Sequence, residues 1–256
     1  MKTMYQGLLA LCAVWAATEP AVALDAPAAT APAVEITAAM PAGAVFAECP
    51  DCPSMVVVPA GQFVMGSPPG EPGREPSEGP QHPVHLARPF ALGRDVITHD
   101  QWRVCARQGA CRDLDADPEL GRPVRPAPGD APVTGIHQTE AVSYTRWLSE
   151  VTGQDYRLPT EAEWEYVARV SGVRPLGLQD LQGRVWQWVQ DCLHDSYVGA
   201  PADGSEWMEN CSQHTQRLAR GGSKRSTPEQ LRPAYRGWAR DEGEDIGFRV
   251  ARSLND

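Results

Sequence analysis

The stretch that decides the fold is "RLPTEAEWEYVARV", residues 157–170. Thr160 followed three residues later by Glu163 forms a capping box. The threonine hydroxyl takes an orphan helix amide, and the glutamate returns to the amide of the capping residue. A helix therefore starts here, the third in the chain.

Working back toward the N-terminus, "TEAVSYTRWLSEVTG" (139–153) places Ala141, Tyr144, Trp147, Leu148 and Val151 at helical spacing, with Gly153 as its stop. An aromatic stripe of this kind reads as core. "THDQWRVCARQG" (98–109) is another helix, with Thr98 or His99 at its cap, Trp102, Val104 and Cys105 on one face and Gly109 at its end. Further upstream, "MVVVPAGQFVMGS" (55–67) reads as a hairpin: a β-branched run, a Pro-Ala-Gly-Gln turn and a second strand over Phe63–Met65. "PPGEPGREPSEGPQ" (68–81) is a loop, and "HPVHLARPFALGRDV" (82–96) is strand material. His82 and His85 would pair as metal ligands only on a helix, which Pro83 and Val84 oppose, so they read as strand residues.

After Gly172 the helical signal ends. "GLQDLQGRVWQWVQD", "YVGAPADGSEW", "QRLARGGS" and "GFRVARSL" are short strand-like pieces between Gly, Pro and Asp loops. The layout is α+β with much irregular backbone. Such loops inside a domain are functional or stapled.

The ends and the charge bound the rest. "MKTMYQGLLALCAVWAATEPAVALDA" carries Lys2, an apolar run over Gly7–Ala17 and a small-residue cleavage site at Ala23, so residues 1–23 read as a signal peptide. The run is shorter than the roughly 20 residues of a bilayer span, so no membrane span is expected after cleavage. Residues 24–47 are Ala- and Pro-rich and read as a disordered linker, with one domain over 48–256. The expected location is periplasmic or secreted. A net charge of -10 excludes non-specific attraction to nucleic acid or anionic membrane.

Without Cys12, six cysteines remain, which allow fifteen connectivities. In an oxidising compartment the simplest pairing is between neighbours: Cys49 with Cys52, Cys105 with Cys111, Cys192 with Cys211. A zinc site or a redox pair in "CPDC" is the sharper alternative. Zinc needs a second ligand pair at matching spacing, and "CPDC" opens no helix that would lower a thiol pKa.

The motifs "MVVVPAGQFVMGS", "ALGRDVITHDQW", "RLPTEAEWEYVAR", "GRVWQWVQDC", "RGGS" and "GFRVAR", in this order over roughly residues 52–252, resemble the formylglycine-generating, sulfatase-modifying-factor domain. The resemblance implies a variant of the C-type-lectin fold. Active members oxidise a sulfatase cysteine with copper and oxygen, holding the soft copper(I) ion with two cysteines. Those cysteines stand three and eight residues after the serine of Gly-Gly-Ser. Here these positions are Ser226 and Leu231. The family's Gly-Asn-Val-Trp-Glu-Trp motif, whose glutamate helps bind calcium, reads "GRVWQW" with Arg184 and Gln187. The segment "VARVSGVRPLGLQDLQ" (167–182) is also shorter than the resemblance implies. Neither copper nor calcium is therefore expected.

Three functions follow from this pattern. The first is a non-catalytic binding or accessory module, in which Ser223, Ser226, Arg225, Arg232, Tyr235, Arg236 and Trp238 form a rim for a protein, peptide or small-molecule ligand. Arg232 and Arg236 have an alternative role as internal partners of acids such as those in Asp241–Asp245. The second is an oxidase of a peptide or small molecule by a non-cysteine mechanism, of the kind the ergothioneine-pathway and pyoverdine-maturation branches suggest. The six histidines (82, 85, 99, 137, 194 and 214) sit in separate segments and form no iron-binding pattern, His137 being the most unusual. The third, serine hydrolysis at Ser223 or Ser226, lacks a nucleophile elbow.

Overall fold

A computed structural model describes residues 36–116, 126–172, 176–211, 216–240 and 243–254. The signal peptide and the first part of the expected linker lie outside the described residues. The elements, in chain order, are β1 (Val45–Phe46), β2 (Met55–Val58), β3 (Gly61–Met65), β4 (His82–Leu86), β5 (Phe90–Gly93), α1 (His99–Arg107), α2 (Gln138–Thr152) and β6 (Tyr156–Arg157). They continue with α3 (Glu161–Ser171), β7 (Trp186–Cys192), β8 (Arg217–Arg220), β9 (Gly237–Ala239), β10 (Ile246–Phe248) and β11 (Ala251–Ser253). Two 3-10 turns, Pro76–Glu78 and Pro228–Leu231, break the loops.

The helix starts follow from their caps. Thr98 accepts from the Gln101 amide and receives the Gln101 side chain in return; Thr160 and Glu163 do the same for α3. The Thr160 hydroxyl also donates to the Gly204 carbonyl at 2.9 Å. We expect Thr160→Ala to cost about 1–2 kcal/mol, since it removes a cap and orphans a buried carbonyl; a shift of the urea midpoint reads this out. α2 ends at Gly153, whose φ of 68° places it in the left-handed region that glycine tolerates.

Two strand assignments differ from the sequence reading. Met55–Val58 and Phe63–Met65 do not pair with each other. β2, buried at every residue, is an inner strand between β1 and β5 of a five-stranded antiparallel sheet ordered β1-β2-β5-β11-β6. β3 alternates in burial and forms a separate ribbon with β4. A strand buried on both faces needs neighbours on both sides, which a two-stranded ribbon cannot supply. "YVGAPADGSEW" forms turns rather than a strand. The second main sheet is ordered β10-β7-β8-β9, with β10 parallel to β7 and the other pairs antiparallel.

Part of the expected linker, residues 36–47, is described, and Ile36, Met40, Ala44 and Phe46 pack against the main core, unlike a disordered segment. These few large apolar side chains, spaced among alanines, are enough to order the segment. Val151 is the other exception, 49% exposed at the end of α2.

The main core joins α1, α2 and both main sheets. Trp102 stacks on Tyr144 at 5.8 Å, and Phe248 meets Tyr144 edge-on at 5.4 Å. The aromatic stripe is core. Burial pushes the Tyr144 hydroxyl well above its usual pKa. Disulfides join Cys49 to Cys52, Cys105 to Cys111 and Cys192 to Cys211. Among the described residues, no helix is long and apolar enough to cross a membrane.

Candidate functional site

α3 carries three glutamates in its first turns, and all three are buried. Glu163 serves the cap and the Arg157 guanidinium. Glu161 and Glu165 lie four apart on one helix face, and both are aimed at the second sheet. Glu165 accepts from Arg220 at 2.6 Å, from Arg169 at 2.7 Å and from the Gly66 amide at 2.8 Å. Glu161 accepts from Arg236 at 2.8 Å and from the Tyr197 hydroxyl at 3.0 Å. Burial pulls the Glu161 carboxyl up, but the Arg236 and Arg220 guanidiniums outweigh it and hold the group below its usual range. A charge inside a protein survives only with such partners.

These arginines in turn fix the loop over residues 221–240. Arg220, with its side chain fully buried, donates to the carbonyls of Pro233, Ala234 and Tyr235 at 2.7, 3.0 and 2.8 Å. Arg236 donates to the Ser77 and His194 carbonyls, each at 2.8 Å. Arg232 reaches Glu78 at 2.6 Å and Glu71 at 2.7 Å, tying the Pro/Gly/Glu loop to the same place. Arg232 and Arg236 are therefore committed to internal partners, the alternative role expected of them. Their side chains are 14% and 0% exposed, and their acidic partners are Glu71, Glu78 and Glu161 rather than Asp245. Only Arg225, 73% exposed on its side chain, and Trp238, 55% exposed, keep the outward position expected of them.

The loop opens at Gly221. Its φ is +99°, and a Cβ there would meet the Leu181 carbonyl at 2.7 Å. No other residue fits. At the next residue, Gly222, a Cβ would lie 2.6 Å from a Leu231 methyl and 3.1 Å from the Ser226 hydroxyl. The positions that the family resemblance assigns to copper ligands thus converge on one point. The donor set there is one hydroxyl and one aliphatic side chain. Ser226 Oγ already accepts the Ser223 amide at 2.9 Å. This set does not fit copper(I), which needs soft thiolates.

The calcium motif fails the same fit. Gln187 is fully buried and its Oε1 accepts from Trp164 at 3.0 Å and from Arg249 at 2.7 Å, while its Nε2 donates to the Leu181 carbonyl at 2.9 Å. Arg249 also donates to carbonyls of Gly93 and Gln179 and, among the described residues, pairs with no carboxylate. Burial pushes its guanidinium down to about 10. Gln187 therefore has no lone pair to spare for a cation. Arg184 pairs with Asp180.

Ser223 is 3% exposed and its hydroxyl donates to Asp245 Oδ2 at 2.6 Å. Asp245 stands between two clefts. One, of about 460 Å³, is bordered by Ser223, Lys224, Arg225 and the 128–134 loop. The other, of about 260 Å³, is bordered by Trp186, Tyr235 and β9. Asp245, expected at most as an ion partner of Arg232 or Arg236, pairs with Ser223 instead. Its signal was its place two residues before the terminal "GFRVAR". Of the histidines, His82 and His85 fall on β4, where residues three apart face opposite sides. His137 caps α2, its amide held by Glu140 at 2.9 Å, and the neighbouring Gln138 reaches the Val189 carbonyl. His214 lies outside the described residues. Among the described residues, no three His, Cys, Asp or Glu side chains gather as a metal site.

Fold and site together define a disulfide-stapled α+β scaffold that presents one arginine-anchored loop between two clefts. The family model of the sulfatase-modifying factor enzyme 1-like domain matches residues 42–175 and 170–254, and the chain belongs to that family. The solved structure of PvdO from Pseudomonas aeruginosa is 34% identical, with a TM-score of 0.75 over 84% of this chain and all of that one. Variable protein 1 of Treponema denticola, 17% identical with a TM-score of 0.59 over 82% of this chain and 98% of that one, shares the fold. The serine/threonine-protein kinase pkn1 of Chlamydia pneumoniae is 28% identical over 247 residues, covering 78% of this chain and 38% of the kinase. The hercynine oxygenase of Mycolicibacterium smegmatis is 24% identical over 250 residues, covering 72% of this chain and 57% of the oxygenase. The chain thus spans well under two thirds of the length of these curated relatives.

Proposed function

We propose that the chain is an exported binding module of the sulfatase-modifying-factor family, without copper-thiolate chemistry, and that the two clefts beside Asp245 receive its ligand. The observation that carries this reading is the meeting of Ser226 and Leu231 on Gly222. A serine hydroxyl does not ionise near neutral pH, and leucine offers no ligand. Nor do the described cysteines supply a spare thiol, since all six are in disulfides. The buried arginines support a binding role in another way, because they hold the loop over 221–240 rigidly and so spare a ligand the cost of ordering it.

A second reading is favoured by the likeness to PvdO over that protein's whole length and by the hercynine oxygenase among the relatives. In it the module oxidises a peptide or small molecule, of the kind matured into a siderophore, without cysteine ligands.

One experiment tests the binding-module reading. The mature protein, purified from the export compartment, is supplied with copper and a cysteine peptide in an oxygen electrode, alongside a thiol titration of the native chain. The expected result is no oxygen uptake above the copper blank and no reactive thiol. Catalytic uptake would overturn the binding-module reading, and a free thiol would reopen cysteine chemistry.

A further inference from the structure

The smaller cleft has a chemical character of its own. Its walls are the rings of Trp186 and Tyr235, whose centroids lie 5.9 Å apart with the planes inclined at 46°. Its base is the sheet at Ala219 and Gly237, where a Cβ on Gly237 would overlap the Trp186 ring. Two charged residues border it, Arg236 and Asp245. The Arg236 side chain is fully buried and committed to Glu161, so its charge is neutralised within the fold. Asp245 alone gives the cleft a sign. Its Oδ2 accepts the Ser223 hydroxyl, and among the described residues its Oδ1 accepts no hydrogen bond.

Two aromatic rings and one carboxylate with a free oxygen favour a particular occupant. The ring quadrupoles present negative faces, and an organic cation gains from both faces and from the carboxylate, whereas a neutral group gains only by burial. The size also matches. A cavity of about 150 Å³ holds benzene, so about 260 Å³ takes a substituted ammonium group or a ring that bears one. Arg232 lies 5.9 Å from the Tyr235 ring, but Glu71 and Glu78 neutralise it.

We infer that this cleft is a subsite for an organic ammonium group, held against the Trp186–Tyr235 pair with Asp245 as its counter-ion. The inference rests on the binding-module reading and names the chemistry of the ligand. Asp245 is the residue that sets specificity.

The test uses choline and its uncharged isostere, 3,3-dimethylbutan-1-ol, titrated into the mature protein and followed by tryptophan fluorescence and calorimetry. Choline should bind roughly tenfold tighter than the isostere, the preference expected of an aromatic site with a carboxylate. Asp245→Asn keeps an acceptor for Ser223 and should reduce the preference to the smaller part that the rings supply, while leaving the melting temperature within a degree or so of the parent, an estimate for a near-isosteric change. Tyr235→Leu should weaken both probes. Equal binding of the two probes, or a preference undiminished in Asp245→Asn, overturns the ammonium assignment and leaves the cleft as a binding site. Binding of neither probe overturns the ammonium subsite, while the binding-module reading, which rests on Ser226 and Leu231, stands.

Discussion

Glu165→Ala should be among the most damaging single substitutions in the chain, lowering stability by about 3–5 kcal/mol. Glu165 is fully buried and accepts from Arg220, Arg169 and the Gly66 amide. Without it, Arg220 keeps only a 3.3 Å approach to Glu161 as its ionic partner, and the Gly66 amide is orphaned. An uncompensated guanidinium inside the fold accounts for most of the cost, against a total stability of about 5–15 kcal/mol for a domain. Urea unfolding measures it directly. Replacing the pair together, as Glu165→Leu with Arg220→Met, should cost less than the sum of the single changes but not return to the parent. The reason is that Arg220 also supplies three carbonyls of the 221–240 loop. A Glu165→Ala variant within about 0.5 kcal/mol of the parent, the range of an ordinary surface change, would show that the buried pair does not organise the site.

That pair also marks the limit of what the sequence discloses. The capping boxes of α1 and α3 are local, with both partners within three residues, and they can be read directly from Thr98, Gln101, Thr160 and Glu163. The aromatic stripe of α2 is equally local, because helical spacing alone puts Tyr144 and Trp147 on one face. The arginines are a different case. Arg232 and Arg236 find partners 154 and 75 residues away in sequence, and no local pattern distinguishes a buried guanidinium from a solvated one. The signal that was present lay on α3. Glu161 and Glu165 occupy one face of a helix otherwise rich in core side chains, and two acids on a buried face require cations from elsewhere. The same distance effect hid the pairing of β2, whose MVVV run resembles a hairpin arm until β5 and β1 are seen on either side of it. Ser226 and Leu231 could be located by counting from Gly-Gly-Ser, but their meeting over Gly222 needed the turn at Pro228–Leu231 that folds the loop back.

The second large effect is a dependence on pH. Asp191 lies on β7, 3% exposed, with Oδ2 accepting the Glu161 amide at 2.7 Å and Oδ1 the Trp207 amide at 2.9 Å. It is a buried acid of this cluster with no arginine in hydrogen-bond contact, since Glu161 has taken Arg236 and Glu165 has taken Arg220. Burial, and next the Glu161 charge, push its carboxyl from 3.8 up to about 7, against the pull of the two amides and Arg236. A raised carboxyl binds its proton more tightly in the folded state than in the unfolded one. Its stabilisation is fully present below pH 4 and is lost as pH rises through 7, a change on the order of 4 kcal/mol at 1.36 kcal/mol per unit. The protein should therefore be more stable at pH 5 than at pH 8. Other groups act with the opposite sign in other windows. Glu78, Glu140 and Glu161 are held low by their arginine partners, which outweigh burial, so their contribution is present above 4.5 and is lost only as pH falls from there through their depressed values. His99, lowered chiefly by burial, loses stability as pH falls below 6.5 and partly masks the Asp191 slope. Asp191→Asn cancels that masking in the comparison, because the variant keeps every other group. Urea midpoints between pH 5 and 8 should fall for the parent and stay nearly flat, or rise with His99, for the variant. Parallel curves for the two proteins would place the slope elsewhere and remove Asp191 from the account. The direction also has a structural reading: as Asp191 ionises beside Glu161, two like charges share the start of α3, and Glu161 is the group that holds Arg236 and with it the loop between the clefts.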